Sequence, residues 1–167
     1  MVKKILLWLH NILKKESPEE IPTPNPTDKG VYITSGEARN ILMNELGDVF
    51  RDNADIYFLD KEYYCPSVEY VKNVLAKNKL DEETWVAAVT VCDGFAKVLW
   101  AVFEQDNWRS GTRRKAHCFG FMGGRLPNPH AINFFIGDDK HVHFVEPQND
   151  TIYKRDYTIK EIWLMIA

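Results

Sequence analysis

The chain of 167 residues has only three cysteines, Cys65, Cys92 and Cys118. That is too few for a disulfide scaffold, and the odd count leaves at least one thiol free or paired with another molecule. Positive charge is not in excess either. The 21 Lys and Arg stand against 24 Asp and Glu, a net charge of −3, which argues against a general nucleic-acid binder. No apolar run approaches the ~20 residues of a membrane span. No small-residue cleavage site follows an uninterrupted apolar stretch, so no signal peptide is expected. Thiols in such a chain point to a reducing, cytoplasmic interior. Apolar and aromatic content is too high, and short repeats too scarce, for a disordered polymer, a collagen or a coiled coil. What is present, 45% hydrophobic and 13% aromatic residues, describes a globular chain with one core.

Composition changes along the chain and divides it. Residues 1–15 hold Lys3, Lys4, Lys14 and Lys15 and no acid. Ile5, Leu6, Leu9, Ile12 and Leu13 share one face of a helix there, a pattern suited to contact with a membrane surface or a partner. Residues 16–30 carry Pro18, Pro22, Pro24 and Pro26, which remove donors and fix backbone angles, so this stretch reads as an extended linker. The domain proper is residues 31–167. A short strand at 31–34, an N-cap at Ser35 and a helix carrying Ile41, Leu42 and Leu46 open it. A second helix follows Ser67 with Val68, Val71, Val74 and Leu75. A third, from Asp93 to about Glu104, repeats Phe95, Val98, Leu99 and Val102 at helical spacing. Alternating stretches at 117–124, 130–137, 141–148, 151–155 and 161–167 then read as strands. A helical N-terminal half and a C-terminal antiparallel sheet give an α+β domain.

Cys92 is the chemically interesting thiol. It stands where the most apolar helix begins, and unpaired N–H groups with the positive end of the helix dipole favour a thiolate there. Asp93 opposes that effect. Cys65, before Pro66, and Cys118, mid-strand between His117 and Phe119, read as small core residues. A nucleophilic cysteine needs an imidazole in reach and a third group to orient it. In the strand at 130–137, His130, Ile132, Phe134 and Ile136 share a face; in the next, Val142, Phe144 and Glu146 do. Opposing Phe134 to Val142 and Ile132 to Phe144 places His130 opposite Glu146, provided the connection has an odd number of residues or a bulge. A charged group on an otherwise apolar strip is unusual unless it is paired. Cys92, His130 and Glu146 are therefore the candidate catalytic residues.

The order cysteine, histidine, acid, with the cysteine opening a helix, resembles papain-like and transglutaminase-like enzymes. The closer resemblance is to the papain-like cysteine protease domain at the C-terminus of Marasmius-type fungal agglutinins and its bacterial and phage relatives. It rests on Trp85, seven residues before Cys92, and on Glu146-Pro147-Gln148, and it spans about residues 80–155. The resemblance implies a papain-like cysteine hydrolase fold over residues 31–167 and cleavage of a peptide or amide bond. Cys92 is then the nucleophile, His130 the base, and Glu146 the group that fixes the histidine tautomer. Trp85 and Gln148 become candidates for oxyanion or substrate contact, beside the backbone N–H of Cys92. It also implies calcium, with oxygens from Asp93, Glu146, Gln148, Asn149 and Asp150, although Asn149 and Asp150 read equally as a hairpin turn.

Other readings stand beside this one. His117, Cys118, His130, His141 and His143 are zinc-type ligands, but the strand register turns His141 and His143 away from His130. Arg109, Arg113, Arg114 and Lys115, near Trp108, form either a solvated loop or a phosphate-binding run. The same pocket would also serve an ester, an isopeptide, a cell-wall amide or a phosphodiester. It would equally suit a non-catalytic module that binds a small molecule or a protein.

Overall fold

The computed structural model describes residues 31–83, 91–109, 115–155 and 158–167. The basic segment 1–15 and the linker 16–30 lie outside the described residues, as does Trp85. Strand β1 (Val31–Thr34) runs directly into helix α1 (Ser35–Leu46). The N-cap is Thr34, one residue before the expected Ser35. Its Oγ1 accepts from the Glu37 N–H at 3.1 Å, and Glu37 Oε2 accepts from the Thr34 N–H at 2.8 Å. That reciprocal pair satisfies two donors that Ser35 could not reach from inside the helix. Gly47 closes α1 as expected. Strands β2 (Phe50–Tyr57) and β3 (Glu62–Cys65) follow. Helix α2 (Val68–Asn78) starts at Ser67, whose hydroxyl accepts from the Tyr70 N–H at 3.1 Å. Helix α3 spans Cys92–Arg109, longer than the apolar periodicity alone predicts. Then come β4 (Phe119–Arg125), β5 (Pro129–Ile136), β6 (Val142–Glu146), β7 (Thr151–Lys154) and β8 (Glu161–Ile166).

Among the described residues the fold is α+β: three helices, a two-stranded sheet of β1 and β3, and a six-stranded sheet ordered β2-β8-β4-β5-β6-β7. The expected division into a helical first half and an antiparallel second half needs correction. Strands β4 to β8 pair antiparallel, but β2, from the first half, joins β8 in parallel and makes the sheet mixed. The N-terminal half alternates strands with helices rather than being helical throughout.

Both faces of the sheet are covered, and period-two alternation sorts its residues between them. Ile132, Phe134 and Ile136 of β5, with Val142 and Phe144 of β6, pack on Ala38, Leu42 and Leu46 of α1. Phe135 of β5, Val145 of β6 and Phe119 face Val71, Val74 and Leu75 of α2 and Leu99 and Phe103 of α3. At the centre of this second layer Phe103 stacks on Phe119, ring centroids 3.7 Å apart. Strand β5 is thus buried on both sides, which is why its sequence is apolar almost without interruption.

Candidate functional site

The site forms where the first turn of α3 meets the beginning of β5. Cys92 is the first residue of α3, and His130 is the second of β5. The β5–β6 register is two residues away from the expected one. Phe134 pairs with Phe144 and Ile136 with Val142, so Glu146 lies diagonally from His130, not opposite it. A slip of two keeps every side chain on its expected face, whereas a slip of one would have separated the pair. The connection between β5 and β6 holds an odd number of residues, 137–141, as the same-face requirement demands.

The diagonal is short enough to bridge. His130 Nε2 lies 2.7 Å from Glu146 Oε2, and both side chains are largely withdrawn from solvent. The other carboxylate oxygen, Oε1, accepts from the Gln148 backbone N–H at 3.3 Å, so Glu146 is held at both ends. The hydrogen bond to Glu146 raises the His130 pKa above its ordinary value; burial opposes this, and the carboxylate charge and the Cys92 thiol reinforce it. With Nε2 committed to Glu146, Nδ1 is the ring atom left for the thiol. The structure thus brings together Cys92, His130 and Glu146. Gln148 joins them through its backbone.

The remaining candidates disperse. Cys65 and Cys118 are fully buried, and burial pushes the Cys65 thiol up to about 12 and raises that of Cys118 as well. His141 Nδ1 lies 2.8 Å from Glu45 Oε1 on α1. His143 stacks on Phe135, centroids 4.8 Å apart, with both Asp139 oxygens within 3.1 Å of Nε2. His117 stacks on Tyr70. These rings do not converge on His130, which removes the zinc reading. Two of the side chains expected to hold calcium have other partners. Asp93 pairs with Lys97 at 2.8 Å, and that bond holds its carboxyl below the usual range. Asn149 Oδ1 accepts from the Thr151 N–H at 3.0 Å, and Asp150, with φ 56°, occupies the turn. Among the described residues no three His, Cys, Asp or Glu side chains are grouped to hold a metal. Of the basic run, Lys115 pairs with Glu62 at 2.8 Å; Arg113 and Arg114 lie outside the described residues.

One side chain at the site escaped the sequence reading. Asn133 of β5 is fully buried and donates to Ala96 O of α3 at 2.8 Å and to Gly120 O of β4 at 3.0 Å. Its signal was a lone amide inside an apolar strand.

No protein-family model and no curated protein sequence matches the chain. Solved structures that share its architecture include these two. One is described as the PSL1a–E64 complex, with 19% identity, a TM-score of 0.69, and coverage of 81% of this chain and 51% of that one. The other is Polyporus squamosus lectin bound to the human-type influenza-binding epitope Neu5Acα2-6Galβ1-4GlcNAc, with 21% identity, a TM-score of 0.68, and coverage of 81% and 49%. The chain has the fold of part of each of these two proteins. It spans about half the length of each. At such identities the likeness establishes architecture alone. The resemblance to the papain-like domain of Marasmius-type agglutinins is corrected accordingly. No family model supports it, and one of the structures found is named as a lectin and neither as a protease, so the labels thiol protease and papain-like are withdrawn with it and the label hydrolase finds no support there.

Proposed function

We propose that this domain binds a small-molecule or peptide ligand at the mouth of α3, and that Cys92 there is a nucleophile toward an acyl carbon. One observation carries the reading: the Glu146–His130 hydrogen bond of 2.7 Å, on a ring that the Cys92 thiol also touches electrostatically. Glu146 accepts from Nε2–H and so fixes the tautomer in which Nδ1 is basic. The thiol gives its proton to Nδ1, and the sulfur attacks the carbonyl carbon. The tetrahedral oxyanion is met by the backbone N–H of Cys92 at the helix start. The imidazolium returns its proton from Nδ1 to the leaving amine or alcohol, leaving a thioester. A water molecule, deprotonated by the same nitrogen, then releases the acid and restores the thiol. Gln148 and Trp85 are proposed to contact the ligand.

A second reading, favoured by the lectin neighbours, is non-covalent recognition of a carbohydrate without turnover. Labelling separates the two. Iodoacetamide and E64, an epoxide that alkylates thiols, are reacted with the folded chain at neutral pH and the modified cysteine is located by mass spectrometry. The nucleophile reading expects Cys92 to react faster than in the urea-unfolded chain, while buried Cys65 and Cys118 stay silent. Labelling of Cys92 no faster than in the unfolded chain, with glycan binding retained in Cys92→Ala, refutes it and supports the lectin reading.

A further inference from the structure

Asn133 is one of four buried polar or charged side chains among the described residues, with Asp106, His117 and His143. It is 0% exposed, spends both amide hydrogens on main-chain carbonyls of two other elements, and leaves Oδ1 without a partner. A buried acceptor left unmatched is unfavourable, and an apolar residue of similar size would fill the same space without it. The amide is therefore retained for direction rather than for burial.

Its placement gives that direction a use. Ala96 is one turn into α3 from Cys92, about 6 Å along the helix axis. Asn133 is three residues along β5 from His130, about 10 Å. The Asn133–Ala96 bond therefore ties together the two elements that carry the thiol and the ring, close to where they meet. The aromatic stack of Phe103 on Phe119 holds the far half of α3 but, being dispersive, resists separation more than axial sliding. A hydrogen bond to one helix carbonyl resists sliding and rolling alike.

We infer that Asn133 is a positioning residue, which fixes the slide and roll of α3 on β5 and thereby the approach of Cys92 to His130. The inference rests on the nucleophile reading above. It is tested by following Cys92 alkylation against pH, with thermal unfolding in parallel, in the full chain and in Asn133→Leu, Asn133→Ala and Asn133→Ser. Leu removes the donors and fills the volume; Ser keeps one donor and leaves room. In Leu and Ala the rate at about pH 6 should fall roughly tenfold or more, because a displacement of the reacting groups by an ångström is enough for such a loss. At about pH 9 the rates should converge, since the thiol there ionises without help from the ring. Ser should fall between. Silence of Cys65 and Cys118 in the same samples reports that each variant is folded. A lowered melting temperature with an unmoved pH profile in every folded variant overturns the inference. Slow alkylation of Cys92 in the unaltered chain would instead overturn the nucleophile reading, so the two failures are distinguishable.

Discussion

Replacing Asp150 with asparagine should stabilise the domain at neutral pH and leave it unchanged in acid. Asp150 sits in the turn between β6 and β7 with φ 56°, a left-handed conformation that asparagine tolerates as well as aspartate. Burial, and after it the charge of Asp81, push its carboxyl from 3.8 up to about 6, while Lys79 pulls the other way. One carboxylate oxygen is buried without a partner. A proton released at about 6 rather than 3.8 corresponds to about 3 kcal/mol between the charged and neutral forms. The residue is only partly buried, and solvent screening reduces that to on the order of 1 kcal/mol. The sign follows from linkage. The folded state holds this proton more tightly than the unfolded one, so stability is greatest below about pH 4 and declines as pH rises through about 6. Asp150→Asn removes that decline. Calorimetric melting should show a gain of about 3 °C at pH 7 that vanishes near pH 4. An equal shift at both pH values, or a loss at pH 7, would refute the burial argument.

Glu146→Gln removes the largest influence raising the His130 pKa. The ring should titrate closer to its ordinary value by proton NMR, and Cys92 alkylation should slow in mildly acid solution. The raised pKa lends stability that is complete below about 6.5 and fades as pH climbs through the folded value, so the variant should lose that acid-side stability as well. An unchanged His130 titration would sink the pairing. Gly120→Ala tests the sheet centre. A Cβ there would lie 1.9 Å from Ile166 O and 2.9 Å from Ala167 Cα, both backbone atoms. Urea unfolding should show a loss of about 3 kcal/mol or more, and a loss below about 1 kcal/mol would mean that β4 and β8 are not packed as described.

The His130–Glu146 contact proved easier to read from sequence than the strand register. His130 and Glu146 ended two apolar strips, and only pairing makes a charge tolerable there, so their union followed from alternation alone. The alignment of Phe134 was another matter. Opposition to Val142 or to Phe144 puts apolar groups on the same face, and no burial argument separates two registers that differ by an even step. The choice falls to the 137–141 connection, where Lys140 takes a positive φ of 58° that no lysine signals in advance. Phe135 and Val145 could have announced a second covered face, being apolar at positions that a half-exposed sheet would leave polar. The parallel joining of β2 to β8 was invisible because Phe50–Tyr57, with Arg51, Asp52, Asn53 and Asp55, lacks the apolar run of a buried strand. As an edge strand it needs none.

The place of β8 in the sheet has a consequence for biosynthesis. It lies between β2 and β4, so β2 stays without a partner until residues 161–166 leave the ribosome. Most of residues 31–167 must then be present before β2 can be anchored, and β8 closes the structure from the inside. Pairings between such distant stretches of chain make for slow, all-or-none assembly, with an unpartnered strand exposed to association while it waits.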